Sequence, residues 1–286
     1  NVTAPVLILE ENGKRMILFP GPPNELHPLF EQQVKPYLQK LSPEIFYSLT
    51  VKLCGIGESK AAAMIQDMID AQTNPTIAPY AKTGEVHLRV TARAKDEQEG
   101  KKLVKPVIRE LKKRFGEMVY TTKEERTLEE AVVKLLKKNK MSITCAESCT
   151  GGLLAGRIVN VAGASSVFQT GYVTYANQAK RRLLGVKKST LREFGAVSTQ
   201  TAKEMASGAL AAAKADVAVS ITGIAGPDGG TARKPVGLVY IGCSVQGHTI
   251  AQEYRLSGNR EKIRDKAVSA EMTLPRRCNL ENWSKK

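Results

Sequence analysis

The sequence predicts an α/β protein: a layered α/β domain over residues 126–286, preceded by a ferredoxin-like α+β domain over 42–122 and by a partial α/β domain over 1–41. Three observations predict this arrangement. Strand and helix patterns alternate in the last part, as in layered α/β domains. The middle part has the order strand, helix, strand, strand, helix, strand of a split βαβ unit. The first part has too few elements for a core of its own.

The first part opens with a predicted β-hairpin. Asn12 and Gly13 separate two apolar runs, and this dipeptide is a preferred centre of two-residue hairpin turns. The segment PGPPN at 20–24 then breaks the chain before a helix with one apolar face. Pro36 lies inside this helix and is expected to kink or end it. We therefore expect residues 1–41 to be the end of a larger domain.

The middle part contains the six elements of a split βαβ unit. They are predicted at FYSLTVKLCG, SKAAAMIQDMID, PTIAPYAK, EVHLRVTARA, GKKLVKPVIRELKKRF and EMVYTT. The glycine-containing segment GIGES at 55–59 has neither the spacing nor the context of a phosphate-binding loop or a dinucleotide fingerprint. A turn before a helix accounts for its glycines.

The last part begins at a helix start signal. Thr127 and Glu130 have the spacing of a capping box, and an apolar stripe follows. Strands are predicted at MSITCAE, VFQTGYVTY, DVAVSITG, PVGLVYIGCSV and HTIAQEYRL, and helices at GGLLAGRIVNV, QAKRRLL, TQTAKEMASGALAAAKA and NREKIRDKAVSAEM. Five strands with flanking helices are enough for a hydrophobic core.

The composition narrows the classes of function. No apolar run is long enough to span a bilayer, and no signal peptide is recognised, so we expect a cytoplasmic protein without membrane contact. The five cysteines form no CxxC pair and there are three histidines, which makes a zinc site unexpected. The net charge of +15 raises a nucleic-acid hypothesis, but the basic residues are spread along the chain. Aromatic residues make up only 5%, leaving few stacking platforms, so nucleic acid is not the expected partner.

Ser148 lies in a polar turn between an apolar strand pattern and the Gly151-Gly152 pair that opens a helix. Free backbone N–H groups at a helix start would stabilise the oxyanion formed after attack by a serine hydroxyl. The alternative is that Ser148 or Thr150 simply caps the helix, a common role for both residue types.

Lys180 favours the catalytic interpretation. With Asn177 as N-cap and Gly185 after the helix end, Lys180 would occupy the third helical position. The helix dipole and the neighbouring Arg181 and Arg182 would disfavour its ammonium form and lower its pKa, and a general base must be neutral. The alternative is a solvated basic helix face.

Two neighbours of this pair have open roles. Tyr175 is expected to orient the lysine or relay a proton, or else to serve packing. Cys149 is a rival nucleophile, but no histidine is near enough in the sequence to activate it, so a small buried residue is the simpler interpretation.

The segment SITGIAGPDGGTARKPVG at 220–237 joins two predicted strands through a loop with five glycines. Glycine-rich loops at strand ends bring backbone donors close to phosphates or sugars. The alternative is a plain long loop, although loops of this length in compact domains are usually functional.

These motifs resemble a known family. AESCTGG, GYVTYANQAKRRLLGV, FGAVS and TGIAGPDGGT…KPVGLVY are similar to the C-terminal domain of the competence/damage-inducible protein CinA, over about residues 126–270. GPPNEL and the region from GIGES through NPTIAPYAKTGEVHLRVTA resemble the end of that family's molybdopterin-binding-like N-terminal domain and its connecting domain.

The resemblance implies a nicotinamide mononucleotide deamidase that forms nicotinate mononucleotide and ammonia without a metal or cofactor. The family's nucleophile, base and tyrosine correspond to Ser148, Lys180 and Tyr175. A small-molecule nucleotide is the implied partner, and a homo-oligomer, most simply a dimer, is expected. The residues expected to bind the nucleotide are Thr150, Gly151, Gly152, Asn177, Thr222, Gly223 and Gly226.

Two departures from the family pattern leave alternatives open. Some members carry a metal-dependent ADP-ribose pyrophosphatase activity in the N-terminal domain, and residues 1–41 have no cluster of acids for a metal, so this activity is expected to be missing. The C-terminal segment is less apolar than expected, and Pro275 should stop the last helix early. A catalytically decayed nucleotide-binding or competence-associated protein is therefore the second hypothesis. An ADP-ribose pyrophosphatase-type member of the family, with its metal site in the missing N-terminal part, is the third.

Overall fold

The computed structural model describes residues 5–42 and 44–283, which contain one two-stranded, one four-stranded and one five-stranded sheet. Its mixed α/β architecture confirms the predicted fold class. The division into three domains at the stated boundaries remains a prediction.

The first sheet is the predicted hairpin of β1 (Leu7–Glu11) and β2 (Lys14–Leu18). Asn12 and Gly13 have φ values of 50° and 75°, as a primed hairpin turn requires. Helix α1 (Pro23–Leu29) continues through a π-helical segment into α2 (Lys35–Leu41). Pro36 therefore does not end the helical path, because it lies in the first turn of α2, where its missing N–H costs little.

The four-stranded sheet has the order β4-β5-β3-β6 with all neighbours antiparallel, which is the arrangement of a split βαβ unit. The predicted helix over 59–70 is two short helices, because Ile65 leaves helical geometry at φ −127° and ψ 15°. The elements are β3 (Ile45–Cys54), α3 (Glu58–Ala63), α4 (Gln66–Asp70), β4 (Thr76–Lys82), β5 (Glu85–Ala94), α5 (Glu97–Phe115) and β6 (Val119–Thr121).

The five-stranded sheet has the order β11-β10-β9-β7-β8, with β7 parallel to both neighbours and β10 antiparallel to both of its own. Its strands are β7 (Ile143–Glu147), β8 (Phe168–Val173), β9 (Val217–Gly223), β10 (Leu238–Val245) and β11 (His248–Arg255). Its helices are α6 (Leu128–Lys138), α7 (Leu153–Val159), α8 (Asn177–Leu184), α9 (Lys188–Glu193), α10 (Thr199–Ala213) and α11 (Arg260–Trp283). All were predicted from the sequence except the short α9.

Helices cover both faces of this sheet. Along β9, Val217 and Val219 pack in the core shared with α6, α7 and α11, whereas Ala218 packs with Met205 of α10. This alternation is the period of a strand that is buried on both sides. The predicted capping box at the start of α6 is present, with Thr127 and Glu130 bonded reciprocally.

The prediction that Pro275 stops the last helix was wrong, since α11 continues to Trp283. Met272 and Leu274 of this helix are buried, and Arg276 donates hydrogen bonds to the carbonyls of Glu117 and Val119. This packing and anchoring offset a helix-interior proline, which costs about 3 kcal/mol.

Within residues 5–42 and 44–283, no helix combines the length and the apolar character needed to cross a bilayer.

Candidate active site

The candidate residues lie where the three parallel strands of the large sheet end. Ser148 follows β7 directly, Tyr175 lies two residues after β8, and Thr222 and Gly223 close β9. Open α/β sheets commonly bind ligands at the carboxyl ends of their parallel strands. The topology therefore brings together residues that are distant in the sequence.

Ser148 and Lys180 are in direct contact. The Lys180 Nζ lies 3.0 Å from Ser148 Oγ, and it also donates to the carbonyls of Thr174 at 2.8 Å and Tyr175 at 3.1 Å. Lys180 is only 1% exposed and Ser148 8% exposed. The structure thus brings into contact the two residues that the sequence analysis proposed as nucleophile and base.

Burial lowers the pKa of Lys180 to about 8, because the low-dielectric surroundings disfavour the ammonium form. The predicted cause was different. Arg181 and Arg182 are exposed, and desolvation rather than like charge or the helix dipole dominates the shift. The direction of the predicted shift agrees with the structure, and its physical explanation is corrected.

The start of α8 also differs by one residue from the prediction. Ala176 occupies the N-cap, Asn177 is the first helical residue, and Lys180 is therefore at the fourth position. Gly185 ends the helix with φ 68°, as predicted. The shift moves Lys180 further from the helix terminus, where the dipole has less effect.

The turn after Ser148 is held by a residue that the sequence analysis missed. The buried carboxylate of Glu147 accepts hydrogen bonds from the backbone amides of Gly152, Leu154 and Ala155, at 2.9, 3.1 and 2.9 Å. These amides at the start of α7 are therefore not free to bind an oxyanion, contrary to our expectation. The alternative that Ser148 or Thr150 caps the helix is also wrong, since Ser148 Oγ contacts Lys180 and the Thr150 hydroxyl has no partner among the described residues.

Two backbone amides nearer to Ser148 remain candidates for binding an oxyanion. Among the described residues, the N–H groups of Cys149 and Thr150 have no acceptor in another residue. Arg264 of α11 donates to the carbonyls of Cys149 at 3.0 Å and Thr150 at 2.8 Å, and the first of these carbonyls belongs to the same peptide group as the Thr150 N–H. Because C=O and N–H point in opposite directions in a trans peptide, Arg264 directs the Thr150 N–H away from α11.

Tyr175 contributes in two ways. Its backbone carbonyl orients Lys180, whereas its side chain is 62% exposed and its hydroxyl lies 3.5 Å from Arg260 Nη2. Arg260, at the start of α11, also donates to the carbonyl of Gly226 at 2.7 Å. Arg260 lies 80 residues after Lys180 in the sequence, and no sequence motif indicated that its guanidinium would be part of the candidate site.

These groups surround a cavity of about 190 Å³. Cys149 lines it but is 7% exposed, and burial raises its thiol pKa to about 12, which opposes a role as nucleophile. The lining residues are Ser148, Cys149, Tyr175, Lys180, Ala196, Val197, Thr222, Gly223, Ala225 and Arg260.

Thr222 and Gly223 also have structural roles. The Thr222 hydroxyl donates to the Ala196 carbonyl at 2.7 Å, which fixes one cavity wall. A Cβ on Gly223 would approach Val239 Cγ2 to 2.7 Å, so close packing on β10 requires glycine there.

The other predicted binding residues lie outside the cavity lining. Thr150 is fully buried, and its side-chain hydroxyl has no partner among the described residues. Gly151 and Gly152 have φ values of 62° and 97° and form the tight turn, Asn177 is exposed at the start of α8, and Gly226 contributes its carbonyl to Arg260. Their roles toward a nucleotide remain predictions.

A family model described as the CinA C-terminal domain matches residues 125–278, more than half of the sequence, and one described as the damage-inducible protein CinA KH domain matches 48–121. The chain belongs to the CinA family. The resemblance proposed from the sequence motifs is confirmed.

Relatives in this family are longer than the chain. A CinA-like protein from Kosmotoga olearia is 50% identical over 97% of the chain and 67% of its own length. A CinA-like protein from Dictyoglomus turgidum is 50% identical over 92% of the chain and 64% of its own length. The chain therefore spans about two thirds of such CinA relatives.

Solved structures of the CinA family cover about half of the chain. The competence/damage inducible protein CihA from Agrobacterium tumefaciens is 44% identical, with a TM-score of 0.52, over 53% of this chain and 93% of its own. A CinA superfamily protein from Escherichia coli is 31% identical, with a TM-score of 0.51, over 56% of this chain and 96% of its own.

Proposed function

We propose that this CinA protein hydrolyses the carboxamide of nicotinamide mononucleotide to nicotinate mononucleotide and ammonia, with Ser148 as nucleophile and Lys180 as general base. The observation that carries this proposal is the 3.0 Å contact between a buried lysine amine and the serine hydroxyl. A lysine whose pKa is lowered to about 8 is substantially neutral at slightly alkaline pH and can accept the serine proton.

The contacts of Lys180 suit a neutral amine. Such an amine has two N–H donors and one lone pair. The carbonyls of Thr174 and Tyr175 accept the two N–H bonds, which leaves the lone pair for the Ser148 hydroxyl. The backbone thus orients the base, and no carboxylate is needed to hold it.

The reaction would proceed in two stages. Ser148 Oγ attacks the carboxamide carbon while its proton passes to Lys180, and the resulting ammonium then protonates the leaving amine, which departs as ammonia. The same lysine then takes a proton from water, and the hydroxide attacks the acyl-enzyme ester. The bond from carbon to Ser148 Oγ breaks, Lys180 returns the proton to Ser148 Oγ, and the acid product loses its remaining proton to solvent to become the carboxylate. The amides of Cys149 and Thr150, which have no acceptor in another described residue, are the candidate donors to the oxyanion formed in each stage.

The phosphate of the nucleotide is expected at Arg260. The start of α7 is closed to anions by the Glu147 carboxylate, whereas the Arg260 guanidinium lines the cavity. A cavity of about 190 Å³ is smaller than the roughly 300 Å³ or more of typical ligand pockets. We therefore place the pyridine ring beside Ser148 and the ribose phosphate at the mouth, where a guanidinium can bind it.

Ammonia release from nicotinamide mononucleotide tests this function. Ser148→Ala and Lys180→Met are expected to abolish release, and Lys188→Ala, which changes an exposed lysine on α9, serves as the matched control. Full turnover by folded Ser148→Ala protein would overturn the mechanism. Nucleotide binding in calorimetry without product at any pH would instead support the non-catalytic alternative. The homodimer and the cytoplasmic location remain predictions.

A further inference from the structure

Glu147 occupies an unusual place for a charged residue. It is the last residue of β7, directly before Ser148, and it is 0% exposed. It does not line the candidate cavity. A buried carboxylate is costly unless its oxygens accept hydrogen bonds, so the contacts of this side chain determine its role.

Both oxygens of Glu147 are bonded. Oε2 accepts from Gly152 N and Leu154 N, and Oε1 accepts from Ala155 N, with the Cys145 thiol at 3.6 Å. Charge-assisted bonds of this kind are about twice as strong as bonds between neutral groups. A single side chain therefore ties the end of β7 to the start of α7 across the intervening turn.

Ser148 lies between these two fixed points. Its own amide donates to the Ile221 carbonyl of β9 at 3.1 Å, and Gly151 N donates back to the Ser148 carbonyl at 3.1 Å. The helix start cannot shift without breaking bonds to Glu147. The position of Ser148 Oγ relative to Lys180 is thus set by backbone that Glu147 holds.

We propose that Glu147 is a positioning residue that fixes the Ser148 turn so that the hydroxyl meets Lys180. This inference deepens the proposed function and rests on it for the identity of the reaction. Glutamine at this position retains the volume but replaces one acceptor oxygen with an NH₂ donor. That donor would meet backbone N–H groups, and at least one of the three bonds would be lost.

An alkyl phosphonofluoridate provides a test that does not depend on the natural substrate. Ser148 Oγ forms a bond to phosphorus as the P–F bond breaks, fluoride leaves and the serine proton passes to Lys180. Intact-protein mass spectrometry gives the labelling rate, and Ser148→Ala gives the blank. Glu147→Gln is expected to slow labelling by about tenfold to a hundredfold, the cost of a small misplacement of a reacting group.

The pH profile and steady-state kinetics distinguish positioning from stability. In Glu147→Gln, the midpoint of the pH profile should stay at the wild-type value because Lys180 remains buried. The kcat for nicotinamide mononucleotide should fall by a factor similar to that for labelling, while KM changes by less than about threefold. Thr127→Ala is the control, since it removes the cap of α6 and should lower Tm with an unchanged labelling rate.

Glu147→Asp provides a second variant that keeps the charge but is one methylene shorter. An intermediate labelling rate supports positioning. If the folded fraction of Glu147→Gln or Glu147→Asp reacts at the wild-type rate, Glu147 is only a helix cap and the proposal is overturned. If the wild type is labelled, Glu147→Gln is labelled more slowly and nicotinamide mononucleotide stays intact, the proposed substrate is overturned and the role of Glu147 is supported. A wild-type protein inert to both reagents would overturn both proposals.

Discussion

The carboxyl group of Glu271 is fully buried and close enough to Glu147 for the charge of Glu147 to disfavour its ionisation. The two side chains differ in their contacts. Glu147 accepts three backbone hydrogen bonds, whereas both oxygens of Glu271 lack a partner among the described residues. Burial and the charge of Glu147 raise the pKa of Glu271 well above 4.5, which favours the protonated form of this carboxyl group inside α11.

We predict that Glu271→Met stabilises the protein by about 1–3 kcal/mol at pH 7, the usual cost of a buried unsatisfied polar group. Because the pKa of Glu271 is higher in the folded than in the unfolded state, its ionisation costs no stability below the unfolded pKa. As pH rises from the unfolded toward the folded pKa, the free energy of unfolding of the wild type decreases. The difference in the free energy of unfolding between Glu271→Met and the wild type should therefore increase from about pH 4.5 upward. Urea unfolding across this pH range measures this difference. Glu193→Met, at an exposed glutamate, is the control and should show no pH-dependent difference from the wild type.

We predict that turnover increases with pH with a midpoint near 8, because Lys180 must lose its proton to act as a base. Lys180→Arg should be inactive at every pH, since a guanidinium stays protonated. The measurement is kcat/KM from pH 6 to 10. A flat profile in this range would exclude Lys180 as the base.

We predict that Arg260→Ala raises KM for nicotinamide mononucleotide by about tenfold to a hundredfold, which corresponds to the loss of a hydrogen bond to a charged group. The kcat should change little, because Arg260 does not contact the Ser148–Lys180 pair. Nicotinamide riboside, which lacks the phosphate, should show no comparable loss. Arg255→Ala is the control, an exposed arginine paired with Glu253. Equal losses for both substrates would argue against a phosphate contact.

We predict that Arg276→Met lowers the free energy of unfolding by about 1.5–3 kcal/mol, because hydrogen bonds from a buried charged group are lost. Arg276 donates to Cys54 Sγ at 2.9 Å and to the carbonyls of Glu117 and Val119 at 3.2 Å. These bonds fix α11 to the four-stranded sheet. Hydrogen exchange should accelerate in β6 and leave β9 unchanged; an equal effect on both strands would contradict this local anchoring.

Much of the local structure followed from short sequence signals. The Asn12-Gly13 turn and the Thr127 capping box depend on neighbouring residues alone, so both predictions were confirmed. Pro275 was misjudged because a local rule was applied to a helix whose buried residues and Arg276 contacts outweigh the proline penalty.

The candidate site divides in the same way. The motifs around Ser148 and Lys180 identified the two residues, because a serine in a turn and a lysine near a helix start can be recognised from the local sequence alone. Other features of the site depend on contacts between distant parts of the sequence. They are the contact between Ser148 and Lys180, the burial that lowers the lysine pKa, and the positions of Arg260 and Arg264 of α11.

The sequence by itself determined the family, the order of strands and helices, and the identity of the candidate nucleophile and base. Only the tertiary structure decided that the start of α7 is closed by Glu147 rather than open to an anion. The reason is physical: desolvation and hydrogen-bond partners depend on which parts of the chain pack together, and packing of distant segments is not encoded in residue spacing.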